Sequence, residues 1–95
     1  MAGNIYEKEE RIGEKGMDLH RAISSLMEEL EAVDYYNQRA NATNDENLKS
    51  ILIHNRDEEK EHAAMLIEYI RRVDDKFDKE LKEILFKEGD VTRFG

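Results

Sequence analysis

The 95 residues contain no proline, no cysteine and no tryptophan, and only five glycines. Without proline nothing deletes a backbone donor or forces a kink, so long uninterrupted helices are open to the chain. Without cysteine there is neither a disulfide nor a thiolate metal centre, and any metal must be held by oxygen and nitrogen. Cysteine usage is therefore silent on the redox compartment. Positive charge is also scarce: 15 Lys and Arg stand against 23 Asp and Glu, a net charge of −8. A nucleic-acid partner needs a basic footprint, which excludes that class. An acidic surface draws cations instead, or simply keeps the chain in solution. No apolar run nears the roughly 18 residues of a membrane span, and the N-terminus lacks a signal-peptide core. A soluble, cytoplasmic protein with no membrane partner is expected.

What the chain has in plenty is helical patterning. Residues 1–17 are polar and carry Gly13 and Gly16, which weaken a helix, so a flexible N-terminal arm is expected there. From Asp18 the pattern changes. Leu19, Ile23, Leu26, Leu30 and Val33 follow a 4-3-4-3 spacing, the seam of a helix that packs on partners and runs to about Ala40. "NATND" (41–45) has turn composition, and Thr43 with Glu46 forms a candidate capping box. A second helix is predicted over about 45–73, and a third, marked by Phe77, Leu81, Ile84 and Leu85, stops at Gly89. The fold class is all-α: an antiparallel two-helix hairpin plus a short C-terminal helix over 18–88, then an irregular tail over 89–95. Two helices cannot bury two apolar stripes, so a second copy related by a twofold axis is expected to complete a four-helix bundle.

Four polar residues interrupt the apolar stripes of the two helices. On the second helix the heptad seam falls at Leu48, Leu52, Asn55, Glu59, His62, Leu66, Tyr69 and Val73. Its flanks are apolar and its centre is not. On the first helix Glu29 shares a side with Ala22, Leu26, Val33 and Tyr36, whereas Glu28 and Glu31 point away from it. Charge in a bundle core is expensive unless it is paired or metal-bound. Glu59-x-x-His62 places a carboxylate and an imidazole one turn apart on one face. Four-helix di-iron proteins use one Glu from each of two helices and a Glu-x-x-His from each of the other two. This chain holds one of each, so a twofold dimer holds the full set. The ligand requirement and the core requirement ask for the same dimer.

The blocks "HRAISSLMEELEAVDYYNQRA" (20–40) and "ILIHNRDEEKEHAAM" (51–65), and more weakly "EYIRR" and "LFKEG", resemble the encapsulated ferritin-like proteins over about residues 18–90. The resemblance implies a ferritin-like four-helix bundle and a ferroxidase. Glu29, Glu59 and His62 would be its iron ligands, with two irons per dimer interface. It further implies Tyr36 as a hydrogen-bond donor beside the metals and Glu28 and Glu31 as carboxylates on the route by which metal arrives. Calcium or zinc are further candidates at such acidic secondary sites. A ring of dimers, typically a decamer, and an encapsulin shell partner follow from the same resemblance, which places the protein inside a nanocompartment. Two departures stand out: Tyr35 sits where relatives often carry Trp, and the family's C-terminal encapsulation peptide is not visible in "VTRFG".

The expected chemistry is oxidation of Fe²⁺ to Fe³⁺ by dioxygen for iron storage. Carboxylates are hard donors that favour the ferric ion, and Glu59, nearer the seam, suits a bridging role while Glu29 suits a terminal one. A chain this small encloses no mineral, so something else must hold the product. Blander readings stand beside these. Glu28 and Glu31 also suit a solvated face, Tyr36 a core filler, Asn55 a register-setting polar residue, and His20 and His54 surface positions. A structural helical dimer or adaptor would use Glu59 and His62 as buried polar pairs. A rubrerythrin-like di-metal peroxidase is the remaining alternative, though the chain has no Cys₄ site to feed it electrons.

Overall fold

The computed structural model describes residues 4–92, and these form three helices: α1 (Glu9–Ala42), α2 (Glu46–Val73) and α3 (Asp75–Ile84). Among the described residues there is no strand. The all-α hairpin with a short third helix is therefore the fold.

Helix α1 begins nine residues before Asp18, which corrects the expected flexible arm over its second half. Residues 4–8 carry no regular structure, but 9–17 are helical and Met17 lies in the core. The two glycines build an elbow there. Gly13 takes φ 81 and ψ 165, a region essentially reserved for glycine, so the first turn of α1 meets the rest at an angle. Gly16 leaves room for Ile12 to fold back: a Cβ on Gly16 would stand 2.7 Å from Ile12 Cγ2.

The loop between α1 and α2 is three residues long, so the helices run antiparallel. Asp45 caps α2, its side chain accepting from the Leu48 N–H at 3.0 Å, while Thr43 Oγ1 accepts from the Asp45 N–H at 3.2 Å. The expected Thr43–Glu46 capping box is thus corrected: the side chain immediately before the first helical residue reaches the third N–H, and Thr43 instead orients that cap. Helix α3 stops at Ile84, five residues short of Gly89. The chain turns through a positive φ first at Phe86 (φ 59) and again at Gly89 (φ 93). The tail beyond is turn-like over 91–92, with Asp90 accepting from the backbone and side chain of Thr92; 93–95 lie outside the described residues.

The hairpin core is thin. Met17, Ala22 and Ala40 from α1 meet Leu52, Ala63 and Ile70 from α2, and three of these six are alanines that let the helices approach closely. Arg56 on α2 donates to Asn37 Oδ1 on α1 at 3.2 Å, pinning the register near the loop end. Much apolar surface is left over. Ile23, Met27 and Leu30 on α1 are about two-fifths to one-half exposed, as are Tyr69 and, more so, Ile51 and Met65 on α2. A single hairpin has nothing to place on them.

Candidate metal centre

The register that sets Asn37 beside Arg56 brings the middle of α1 against the middle of α2. Glu29 projects from α1; Glu59 and His62 project from consecutive turns of α2. His62 Nδ1 lies 3.5 Å from Glu29 Oε2 and 3.6 Å from Glu59 Oε2. One ligand atom from each residue lies within 4.8 Å of the other two, and they form the one such cluster of three or more His, Cys, Asp or Glu among the described residues. The two carboxylates are 24% exposed and the imidazole 43%.

These separations are too long for good hydrogen bonds, and they leave space between the three groups. Glu29 Oε2 is buried and has no hydrogen-bond partner. An anionic oxygen out of water with no donor is unfavourable by about 1–3 kcal/mol or more. A divalent cation among the three donors, with bonds of about 2.0–2.2 Å, would remove that penalty. Two carboxylates and one imidazole are hard-to-intermediate donors that suit iron, so the residues fit the metal.

The other candidates take different positions. Tyr36 is half-buried two turns after Glu29, and among the described residues its hydroxyl makes no hydrogen bond to the triad. Arg39 stacks its guanidinium 5.9 Å from the Tyr36 ring centre and 6.0 Å from that of Tyr35. This cation–π cluster was missed in the sequence, although an Arg three and four residues after two tyrosines is a legible signal for it. Glu28 and Glu31 are exposed and stand outside the triad. The Glu31 carboxylate raises the Tyr35 phenol above its ordinary value, by its charge first and by a hydrogen bond second. His54 pairs with Glu58 at 2.8 Å on the open surface, His20 is half-buried on α1, and Asn55 is half-buried beside the seam. Among the described residues no helix is long and apolar enough to cross a membrane.

The chain is similar to several known proteins. It is 52% identical over 91 residues to the encapsulated ferritin-like protein of Rhodospirillum rubrum, covering 96% of this chain and 65% of that one. To a ferritin-like protein of Thermotoga maritima it is 46% identical over 92 residues, with 97% and 81% covered. An encapsulin nanocompartment cargo protein of Myxococcus xanthus is 41% identical over 76 residues, 79% of this chain and 58% of its own. The crystal structure of a Nitrosomonas europaea protein superposes with a TM-score of 0.89 at 58% identity, covering 94% of this chain and 98% of that one. The chain thus spans about two thirds of the R. rubrum relative's length. A model of the EncFtn-like family matches residues 4–88, and the chain belongs to that family.

Proposed function

We propose that the protein is a ferroxidase, oxidising Fe²⁺ to Fe³⁺ with dioxygen at a pair of irons held by two copies of the chain. The observation that carries this reading is the triad of Glu29, Glu59 and His62, whose Glu29 oxygen is buried without a partner. In a twofold dimer four carboxylates and two imidazoles face one another, the ligand set of carboxylate-bridged di-iron bundles. The apolar rows left bare on α1 and α2 give the hairpin a reason to pair.

Each side chain has a task. Glu59 bridges the two ions and Glu29 closes the coordination of one. Their negative charge favours the ferric over the ferrous state. His62 supplies one nitrogen to each iron, the nitrogen facing the carboxylates being Nδ1. Iron is the substrate, each ion giving one electron to dioxygen. Tyr36 serves as a hydrogen-bond donor beside the ions. Glu28 and Glu31, exposed on a chain of net charge −8, draw hydrated Fe²⁺ inward and are where calcium or zinc would compete.

The names of the R. rubrum and M. xanthus relatives support one further part of the proposal, that this chain is cargo of an encapsulin shell. The proposal is completed by a ring of dimers such as a decamer, which hands ferric iron to a mineral stored in that compartment. Aerobic oxidation of Fe²⁺ by the purified protein tests the core of it, with His62→Ala and Glu29→Ala alongside and native mass recorded for all three. Fast oxidation in the wild type and buffer-level rates in both variants, at unchanged assembly, are expected. A dimer or larger assembly that oxidises iron no faster than buffer would leave the structural adaptor, and peroxide consumed faster than dioxygen would make it a peroxidase.

A further inference from the structure

Helix α3 is unusual in having no buried residue. Of its apolar positions Phe77 is 45% and Ile84 37% exposed and Leu81 is half-buried, so packing holds it only weakly. It is joined to α2 through one residue. Asp74 closes α2, its N–H donating to Ile70 O at 2.9 Å, and opens α3, its Oδ1 accepting from the Phe77 N–H at 2.9 Å. A one-residue joint fixes both helix ends yet leaves the angle between them to two backbone torsions.

What spans that joint is a guanidinium. Arg71 donates Nε to Glu68 Oε1 at 2.8 Å and Nη2 to Glu68 Oε2 at 2.7 Å, a two-pronged grip within α2. The third prong, Nη1, reaches across the joint to Asp78 Oδ1 on α3 at 2.6 Å. Both anchors are themselves held. Arg72 Nε also donates to Glu68 Oε2 at 2.6 Å, and Lys82 Nζ stands 3.0 Å from Asp78 Oδ2. Arg71 and Asp78 are 31% and 25% exposed, more sheltered than the other ion pairs of α3. A guanidinium presents its donors in a rigid plane, so two prongs on Glu68 dictate where the third points. Asp78 lies about 100° around α3 from Phe77, one residue away. Holding Asp78 therefore sets the direction in which the apolar side of α3 faces.

We infer that Arg71 is an angular clamp: by bridging Glu68 and Asp78 across the Asp74 joint it fixes the orientation of α3, and without it α3 swings as an intact helix. This is independent of the metal centre. Substituting Arg71 changes no residue of α3, Asp78→Ala places a stronger helix former within it, and both leave the Asp74 cap in place, so helix content should survive while orientation is lost.

The chain has no cysteine, so spin labels at Lys60→Cys on α2 and Lys79→Cys on α3 report this angle cleanly. Pulsed electron–electron distance measurements are made on full-length protein diluted with unlabelled chains, so that only distances within one chain are read. A narrow distribution is expected in the clamped protein. Arg71→Met and Asp78→Ala should each lose the narrow peak with circular dichroism unchanged, and Arg71→Lys, which keeps the charge but not the fork, should lose it too. Asp78→Ala decides the matter, because it leaves the Arg71–Glu68 grip on α2 intact. A distribution as narrow in Asp78→Ala as in the clamped protein overturns the inference, whichever way the Arg71 variants behave.

Discussion

Glu29→Gln separates stability from function at the proposed iron site. The substitution keeps the side chain's shape and removes its charge. In the metal-free chain Glu29 and Glu59 place oxygens within 4.8 Å of each other, and two unit charges at that distance repel by about 3 kcal/mol at an effective dielectric of about 20. His62 beside both carboxylates and the 24% exposure of each reduce that figure. The glutamine amide also gives the site a donor, relieving the unpartnered oxygen. The expected net gain is about 1 kcal/mol, which in a domain of this size raises the melting temperature by about 4–8 °C. Iron reverses the order. A ligand that binds only the folded state stabilises it by mass action, and a neutral amide holds Fe²⁺ far less well than a carboxylate. Thermal melts at fixed chain concentration, with chelator and then with anaerobic Fe²⁺, read both effects. Glu29→Gln should melt above the wild type without metal and gain little from iron, while the wild type gains several degrees. A variant that melts at or below the metal-free wild type, or that gains as much from iron, refutes the reasoning.

Other positions give independent checks. Gly13→Ala forces a side chain into a conformation that costs about 1–3 kcal/mol, so the first turn of α1 should detach, seen as faster amide exchange over residues 9–12 with the melt little changed. Asp45→Ala removes the cap of α2 and should cost about 1 kcal/mol, read by urea denaturation, whereas Thr43→Ala should cost less. Hydrogen bonds from Arg71, then Arg72, hold the Glu68 carboxyl down at about 2, against an ordinary 4.5. Its stabilising contribution is therefore full above about 4.5 and lost as pH falls through about 2, so Glu68→Gln should flatten the acid-induced fall in stability across that window.

The hairpin was legible because its signals are periodic. A 4-3-4-3 apolar seam cannot be confused with a strand, and a chain free of proline has few ways to stop. The triad was legible for a related reason: Glu59 and His62 sit on the seam of α2 where periodicity demands apolar residues, Glu29 sits at the edge of the apolar stripe of α1, and a misplaced charge is louder than a well-placed one. The start of α1 was not legible, because Gly13 and Gly16 weaken a helix on propensity alone, and only the Gly13 torsions and the Ile12 side chain lying over Gly16 show that they shape an elbow. The end of α3 was missed because glycine rules favour Gly89 while the chain first turns at Phe86. The Arg71 clamp was hidden for a deeper reason. Its partners are three and seven residues away, and the longer reach exists only because the chain bends at Asp74.

Anomalous diffraction at the iron edge, from crystals of the protein loaded anaerobically with Fe²⁺, tests the central claim most directly. The account predicts two iron peaks across a twofold axis between two chains, with Glu29, Glu59 and His62 donors about 2.0–2.2 Å away. A single peak held by one chain, or iron bound elsewhere with the triad bare, would contradict it.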